Sequence, residues 1–339
     1  MSRPSSDQAP SVLPRVSVLI PTWNGLDHLR RLLPVLRRQA LPEGVELCVI
    51  DSSSTDGTAE FLKAECESGL WDEGCLKGIS VRCIAGEEFH HGRTRNQLAE
   101  SARGEFLVFL SQDALPQGED FLARLLQPFS DEKVAGVTAR VLPDPSHDPL
   151  TRRTVLGDAQ ANAVGHECSL EDARSFDSMR GAERLEVLRF NNVSSAIRAR
   201  AFSDIPFPDV DFGEDFAWAG RALRAGWKTV FTPHAVVWHS HCYGARSGFE
   251  RYRVDASFHA SSHGHRLRPT LLSVLRGFVY EVGADALFIL RGGGAPWHLL
   301  RSPGLRAGQI LGQWVGSRAG ASGLARDPEN PPGSSPGAG

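Results

Sequence analysis

Four places in the chain group acids, histidines or arginines in patterns that could do chemistry. Phe106-Leu107-Val108-Phe109-Leu110 is an unbroken apolar run that stops at Ser111-Gln112-Asp113. His239-Ser240-His241 carries two imidazoles two residues apart, so on an extended chain both face the same way. A carboxylate at a strand end can hold a hard divalent cation against a diphosphate, with His239 and His241 as the further donors it would need. The bland alternatives are a turn capped by Asp113 and two structural histidines. His90-His91-Gly92-Arg93-Thr94-Arg95-Asn96 opens a helix with two arginines. Basic residues oppose the dipole at a helix N-terminus, a mismatch that a bound phosphate would offset. Gly213-Glu214-Asp215 precedes an amphipathic helix. Its acids either cap that helix or supply a general base for a hydroxyl nucleophile, and local pattern does not separate the two.

The elements that must position these groups alternate strand and helix. Val16-Ser17-Val18-Leu19-Ile20 runs into Pro21-Thr22-Trp23-Asn24-Gly25, and leucines then recur at helical spacing from Leu26 to Leu36. Val45 to Ile50 is closed by Asp51-Ser52-Ser53-Ser54, and Thr58 starts a helix with Phe61 and Leu62. A strand over 79–84, a helix over 93–102 and the apolar run follow. Such alternation implies an α/β fold with a mainly parallel central sheet flanked by helices. A run apolar at every position is a strand covered on both faces. Right-handed crossovers would bring Thr22, Asp51 and Asp113 to one rim, where ligands of open α/β sheets bind. Asp51 could contact a base or a ribose there, although as an isolated residue it reads first as a turn former. A helix over 121–129 and a strand over 134–141 come next. Residues 143–190 read as an insertion with short helices, and order returns at Asn191. Two further strands are expected, Trp227 to Phe231 and Ala235 to Trp238.

Composition narrows the function. A net charge of −3 argues against a nucleic-acid binder. The first turn has no GxGxxG and the chain no P-loop, which sets aside the common dinucleotide and NTP sites. The six cysteines form no C-x-x-C pair and read as free thiols, with Cys48 and Cys83 buried in strands. No apolar run approaches the roughly 20 residues of a membrane span, and the N-terminus lacks a signal-peptide core. The expected location is cytoplasmic.

In this order, Val18-Leu19-Ile20-Pro21-Thr22-Trp23-Asn24, Val49-Ile50-Asp51-Ser52-Ser53-Ser54-Thr55-Asp56-Gly57-Thr58, Arg95-Asn96, Gly104 to Ala114, Gly213-Glu214-Asp215 and Val237 to His241 resemble the family 2 glycosyltransferases of GT-A fold. His-Gly-x-Thr-Arg-Asn, Ser-Gln-Asp-Ala-Leu-Pro and His-Ser-His are most similar to bacterial rhamnosyltransferase-type members. The resemblance implies that Pro21, Thr22, Asn24 and Asp51 hold the nucleotide, that Arg95 and Gln112 lie along the nucleotide-sugar, and that Asp113 with His239 and His241 binds Mg²⁺ or Mn²⁺. It implies that Asp215, beside Glu214, is the catalytic base. Ser111 stands where the family's Asp-x-Asp begins, so the first acid is missing.

The domain layout that follows is a disordered tail over 1–14, a GT-A domain over 15–245, a basic amphipathic helical extension over 246–318 and a Gly/Pro/Ser-rich disordered tail over 319–339. The implied partners are a nucleoside-diphosphate sugar and a glycan or lipid-linked acceptor. Arginines interleaved with leucines over 260–318 suit an anionic membrane surface on its inner face; a lid or a dimer interface is the alternative. Against the transferase stand a sugar nucleotidyltransferase, whose Gly-rich basic turn is absent here, and a non-catalytic sugar-nucleotide-binding or scaffold protein.

Overall fold

The computed structural model describes residues 15–41, 44–73, 75–172, 176, 179, 181–210 and 212–322. Four parallel strands form one half of the sheet: β1 (Val16–Thr22), β2 (Val45–Asp51), β3 (Leu76–Cys83) and β4 (Phe106–Leu110), in the order β3-β2-β1-β4. The order continues through β8 (Ser194–Arg198), β6 (Val134–Leu142), β9 (Lys228–Trp238) and the two-residue β5 (Leu115–Pro116), and β7 (His166–Cys168) pairs with β9. β8 runs antiparallel to both β4 and β6, while β6 and β9 are parallel. The sheet is therefore mixed but mainly parallel.

Side-chain alternation covers both faces. On β4, Phe106, Val108 and Leu110 enter one apolar cluster, and Leu107 and Phe109 enter the other. Helix α1 (Leu26–Arg37) closes the first face through Leu29, Leu32, Leu33 and Leu36, all buried. Each such burial stabilises by roughly 1.5–3 kcal/mol. On that flank α2 (Thr58–Glu67) adds Leu62, and α4 (Phe121–Leu126) adds Phe121, Leu122 and Leu125. The opposite face is covered by α3 (His91–Ser101) through Leu98 and by α7 (Ala199–Asp204) through Phe202. Helix α8 (Glu214–Arg224) completes it with Trp218 and Leu223.

The segment expected as an insertion holds α5 (Pro149–Leu156), α6 (Gly181–Val187) and, beyond the short helices expected, strand β7. The two expected strands near 227–238 are one strand, β9. On β6 the consecutive residues Ala139 and Arg140 pair with Thr232 and Val236 of β9, so the residues around Pro233 bulge out of the ladder. That bulge is why the sequence reads as two pieces. Cys48 is buried as expected, but Cys83 is exposed, because β3 is the edge strand.

The C-terminal part is three helices, α9 (Ala245–His263), α10 (Leu271–Phe288) and α11 (Ser302–Ser322). Helices α9 and α11 pack in parallel at very short range. A Cβ built on Gly308, Gly312, Gly316 or Gly320 would fall 2.1–2.3 Å from the carbonyl oxygens of Ala245, Phe249, Arg253 and Ser257 in turn. The four-residue glycine spacing on α11 is therefore a backbone-to-backbone seam, with Ala256 and Ala260 facing it. The last helix enters the stretch expected as a tail; residues 1–14 and 323–339 lie outside the described residues.

Candidate active site

The parallel register places Thr22 opposite Asp51, and β4 ends beside them, so the strand ends share a rim. Asp113 reaches its partners through a second pairing. β5 and β9 run antiparallel with Leu115 opposite Trp238. Two residues back from Leu115 and two on from Trp238, that register sets Asp113 against the His239–His241 turn. His239 Nδ1 lies 3.3 Å from Asp113 Oδ1, and His241 Nε2 lies 3.6 Å from Oδ2. The ligand atoms of all three residues fall within 4.8 Å of one another. Burial opposes the charge on Asp113, but the two imidazoles outweigh it and hold the carboxyl at about 2. His239 Nδ1 is buried without a well-formed hydrogen bond. An orphaned ring nitrogen facing an ionised carboxylate is a fitting donor set for a divalent cation.

Asp113, His239 and His241 line a cleft of about 790 Å³ with Pro21, Thr22, Trp23 and Ser52. That volume suits a ligand of nucleotide-sugar size. Of the other rim residues, Gln112 is committed to the protein. Its Oε1 accepts from Thr22 Oγ1 and from Trp23 N at 3.0 Å, and its Nε2 donates to Trp23 O at 3.1 Å. The glutamine shapes the end of β1. Asp51 is buried and accepts from Ser54 N and Oγ, while Asn24 Oδ1 accepts from Thr55 N. Both side chains lock turns, and neither is among the residues that line the cleft.

Asp215 sits at the N-terminus of α8, where Gly213 takes φ 80°. A Cβ there would also fall 2.2 Å from the Phe258 ring on α9, so glycine is required twice over. The Asp215 carboxylate accepts from Asn192 N at 3.2 Å and Phe216 N at 2.9 Å. Burial and then the charge of Glu214 push its carboxyl up to about 7, against those two hydrogen bonds and Arg95. Glu214 is bound otherwise. It pairs with Arg95 NH1 at 2.9 Å and accepts from Asn192 Nδ2 at 3.2 Å. Arg95 is buried, and its Nε has no hydrogen-bond partner among the described residues. The adjacent acids have thus diverged, one locked in an ion pair and one left to take a proton near neutrality.

Asp215 lines a second cavity, of about 490 Å³, with Asp158, Gln160, Asn191, Asp255 and His259. The two cavities share His91, Arg95, Ser111, Val193 and Arg251. Asp113 lies on one side of that common wall and Asp215 on the other. Three residues here were given no role in the site by the sequence, although Arg251 belonged to the rhamnosyltransferase-like pattern. Asn192 orients both acids, and its signal was a polar pair just before a buried strand. Arg251 and Asp255, paired at 3.2 Å, come from the helix expected to be an extension beyond the domain.

A nucleotide-sized cleft at the carboxyl rim thus lies beside a candidate cation triad and a separate raised carboxyl, and the chain belongs to glycosyltransferase family 2. The family's sequence profile, Glycosyl transferase family 2, matches residues 17–202. The chain is 29% identical over 254 residues to the O-antigen chain rhamnosyltransferase RfbN of Salmonella typhimurium, covering 73% of each protein. It is 26% identical over 243 residues to the glycosyltransferase AglE of Haloferax volcanii, covering 70% of this chain and 69% of AglE. The fold is GT-A. It aligns with the mannosyltransferase PcManGT of Pyrobaculum calidifontis, solved with GDP-Man and Mn²⁺, at TM-score 0.56 and 19% identity over 95% of this chain and 90% of that one.

Proposed function

We propose that the enzyme transfers a deoxyhexosyl or hexosyl unit, with inversion, from a nucleoside-diphosphate sugar to a hydroxyl of a glycan or lipid-linked glycan. The sugar is a rhamnosyl unit by analogy with RfbN, and the reaction is placed at the inner face of a membrane. The observation that carries this reading is the common wall, with the cation donors in one cavity and the raised carboxyl in the other. Donor and acceptor would then meet from opposite sides at Arg95, Ser111 and Arg251.

In that geometry an acceptor hydroxyl gives its proton to Asp215. Each Asp215 oxygen accepts one backbone N–H and keeps a lone pair for the hydroxyl. The acceptor oxygen bonds to the anomeric carbon as the bond from that carbon to the diphosphate oxygen breaks. Attack opposite the leaving group inverts the centre. Arg95, with a free Nε, and Arg251 meet the charge growing on the diphosphate. Asp113, His239 and His241 would hold Mg²⁺ or Mn²⁺, which offsets that same charge. With one carboxylate in the triad, the ion is held by fewer anionic oxygens than an Asp-x-Asp pair would give.

Family membership favours sugar transfer over nucleotidyl transfer and over binding without catalysis. The test is a panel of nucleoside-diphosphate sugars incubated with Mn²⁺ and with a chelator, reading released nucleoside diphosphate and the anomeric configuration of the product. Retention of configuration, or tight binding with no turnover of any donor, would sink the reading.

A further inference from the structure

We propose that the outer face of α10 seats the enzyme on an anionic lipid bilayer. This deepens the lipid-linked acceptor reading and rests on it for its purpose, though not for its observation. Helix α10 is inside out. Its two acids, Glu281 and Asp285, point inward, where Arg153 of α5 pairs with both. Asp285 is fully buried, and Arg306 of α11 grips it with two hydrogen bonds at 2.7 and 2.8 Å. The opposite face carries Leu271, Leu272, Leu275, Val279 and Leu287, from 49% to 69% exposed, and Leu290 just past its end is 76% exposed. Just beyond the helix Trp297 is 66% and Leu300 86% exposed. A soluble helix normally turns such a stripe to the core and its acids to water, and a contiguous apolar surface of this kind marks an interaction site.

Charge identifies the occupant. Arg276 lies on the exposed face, and the exposed Arg266, Arg291 and Arg301 flank it. From residue 264 to 322 the only acids are the two turned inward. An apolar stripe ringed by arginines with no exposed carboxylate fits the headgroup region of an anionic leaflet. A second copy of the same face would bring like charges together. The helix lies on the surface rather than through it, since no described helix is long and apolar enough to cross a membrane.

The same clamp ties the face to the acceptor side. Arg153 leaves α5 toward α10, while Thr151 and Thr154 of α5 line a third cavity, shared with His239, Tyr243 and Asp255. An acceptor anchored in the leaflet would thus meet the site along α5.

The experiment is vesicle co-sedimentation of the full chain, with phosphatidylcholine alone and with about one-third phosphatidylglycerol. Wild type is expected to sediment with the anionic vesicles and hardly with the neutral ones. L275E/V279E should lose at least tenfold of that partition, and R276Q and R291Q about fivefold each. Hydrolysis of the donor sugar in free solution should be unchanged in all of them. Wild type left in the supernatant, or L275E/V279E sedimenting like wild type, overturns the proposal. So does a wild-type dimer by light scattering that L275E splits, which would give the face to a second copy. Vesicle binding intact in an enzyme that turns over no donor would instead indict the transfer reading alone.

Discussion

Replacing Asp215 by Asn separates catalysis from stability, because the structure predicts opposite signs for the two. As the base, Asp215 takes the acceptor proton, so D215N should lose about 10²–10⁴ of transfer rate and still bind the donor, whose cleft Asp215 does not line. Stability moves the other way with pH. A carboxyl raised from 3.8 to about 7 by burial and the Glu214 charge binds more protons folded than unfolded between those two values. Stability contributed by this group therefore falls as pH climbs through that window and is flat above it. The full rise corresponds to about 4 kcal/mol, and solvent access at the cavity mouth reduces this to roughly half. Asn removes that penalty but supplies one acceptor where the carboxylate supplied two, for Asn192 N and Phe216 N. Losing one such bond costs about 1 kcal/mol or more. That loss does not change with pH, so it cancels in a comparison between pH 5 and pH 8. Relative to wild type, D215N should gain about 1–3 kcal/mol on going from pH 5 to pH 8. Urea melts at both pH values and a released-diphosphate assay read the two signs. A stability difference independent of pH, or undiminished transfer, would refute the assignment of a raised, proton-accepting Asp215.

Four further outcomes follow from particular contacts. Wild-type turnover should rise with pH through about 7, the value that Asp215 carries, and a profile flat from pH 5 to 8 would remove it as the base. H239A should weaken Mn²⁺ binding by about tenfold or more, read by calorimetry, while H241A, whose imidazole is half-exposed, should do so less; equal affinity in H239A and wild type would detach the triad from the metal. In the C-terminal helices, G312A should cost about 1–3 kcal/mol, since its Cβ would meet the Phe249 carbonyl at 2.3 Å. G304A, with nothing within 4 Å, should be neutral or stabilising by up to about 1 kcal/mol. Chemical melts should show G312A destabilised and G304A not, and equal destabilisation of the two would argue against the glycine seam. R306M strips the principal partner from buried Asp285 and should cost about 3 kcal/mol, with R306M/D285L recovering part of it.

Much of the catalytic half was legible because its signals are local. β4 is apolar at every position and β1 and β2 are apolar over most of theirs, the mark of strands covered on both faces. The polar residues that end them fall at the rim by chain handedness alone. His239 and His241 share a direction because of strand periodicity. What local signals missed was the use to which a side chain is put. Asp51, Asn24 and Gln112 stand where a ligand would be met, yet each also holds its own turn: Asp51 accepts from Ser54, Asn24 Oδ1 from Thr55 N, and Gln112 donates to Trp23 O. Glu214 and Asp215 look interchangeable in the chain. Arg95, 119 residues before Glu214, makes them different.

The C-terminal helices mark the boundary most sharply. By itself the sequence marked residues 246–318 as a basic amphipathic helical extension, because composition and periodicity are properties of neighbours along the chain; the last helix then ran four residues into the expected tail. It could not say which way each face turns. Arg153 and Arg306 draw Asp285 inward across 132 and 21 residues, and the glycine seam locks α11 to α9. Only that tertiary packing decided that α10 shows leucine to the outside, and that Arg251 and Asp255 belong to the site. Burial and charge pairing are set by what folds against a residue, which spacing along the chain does not encode.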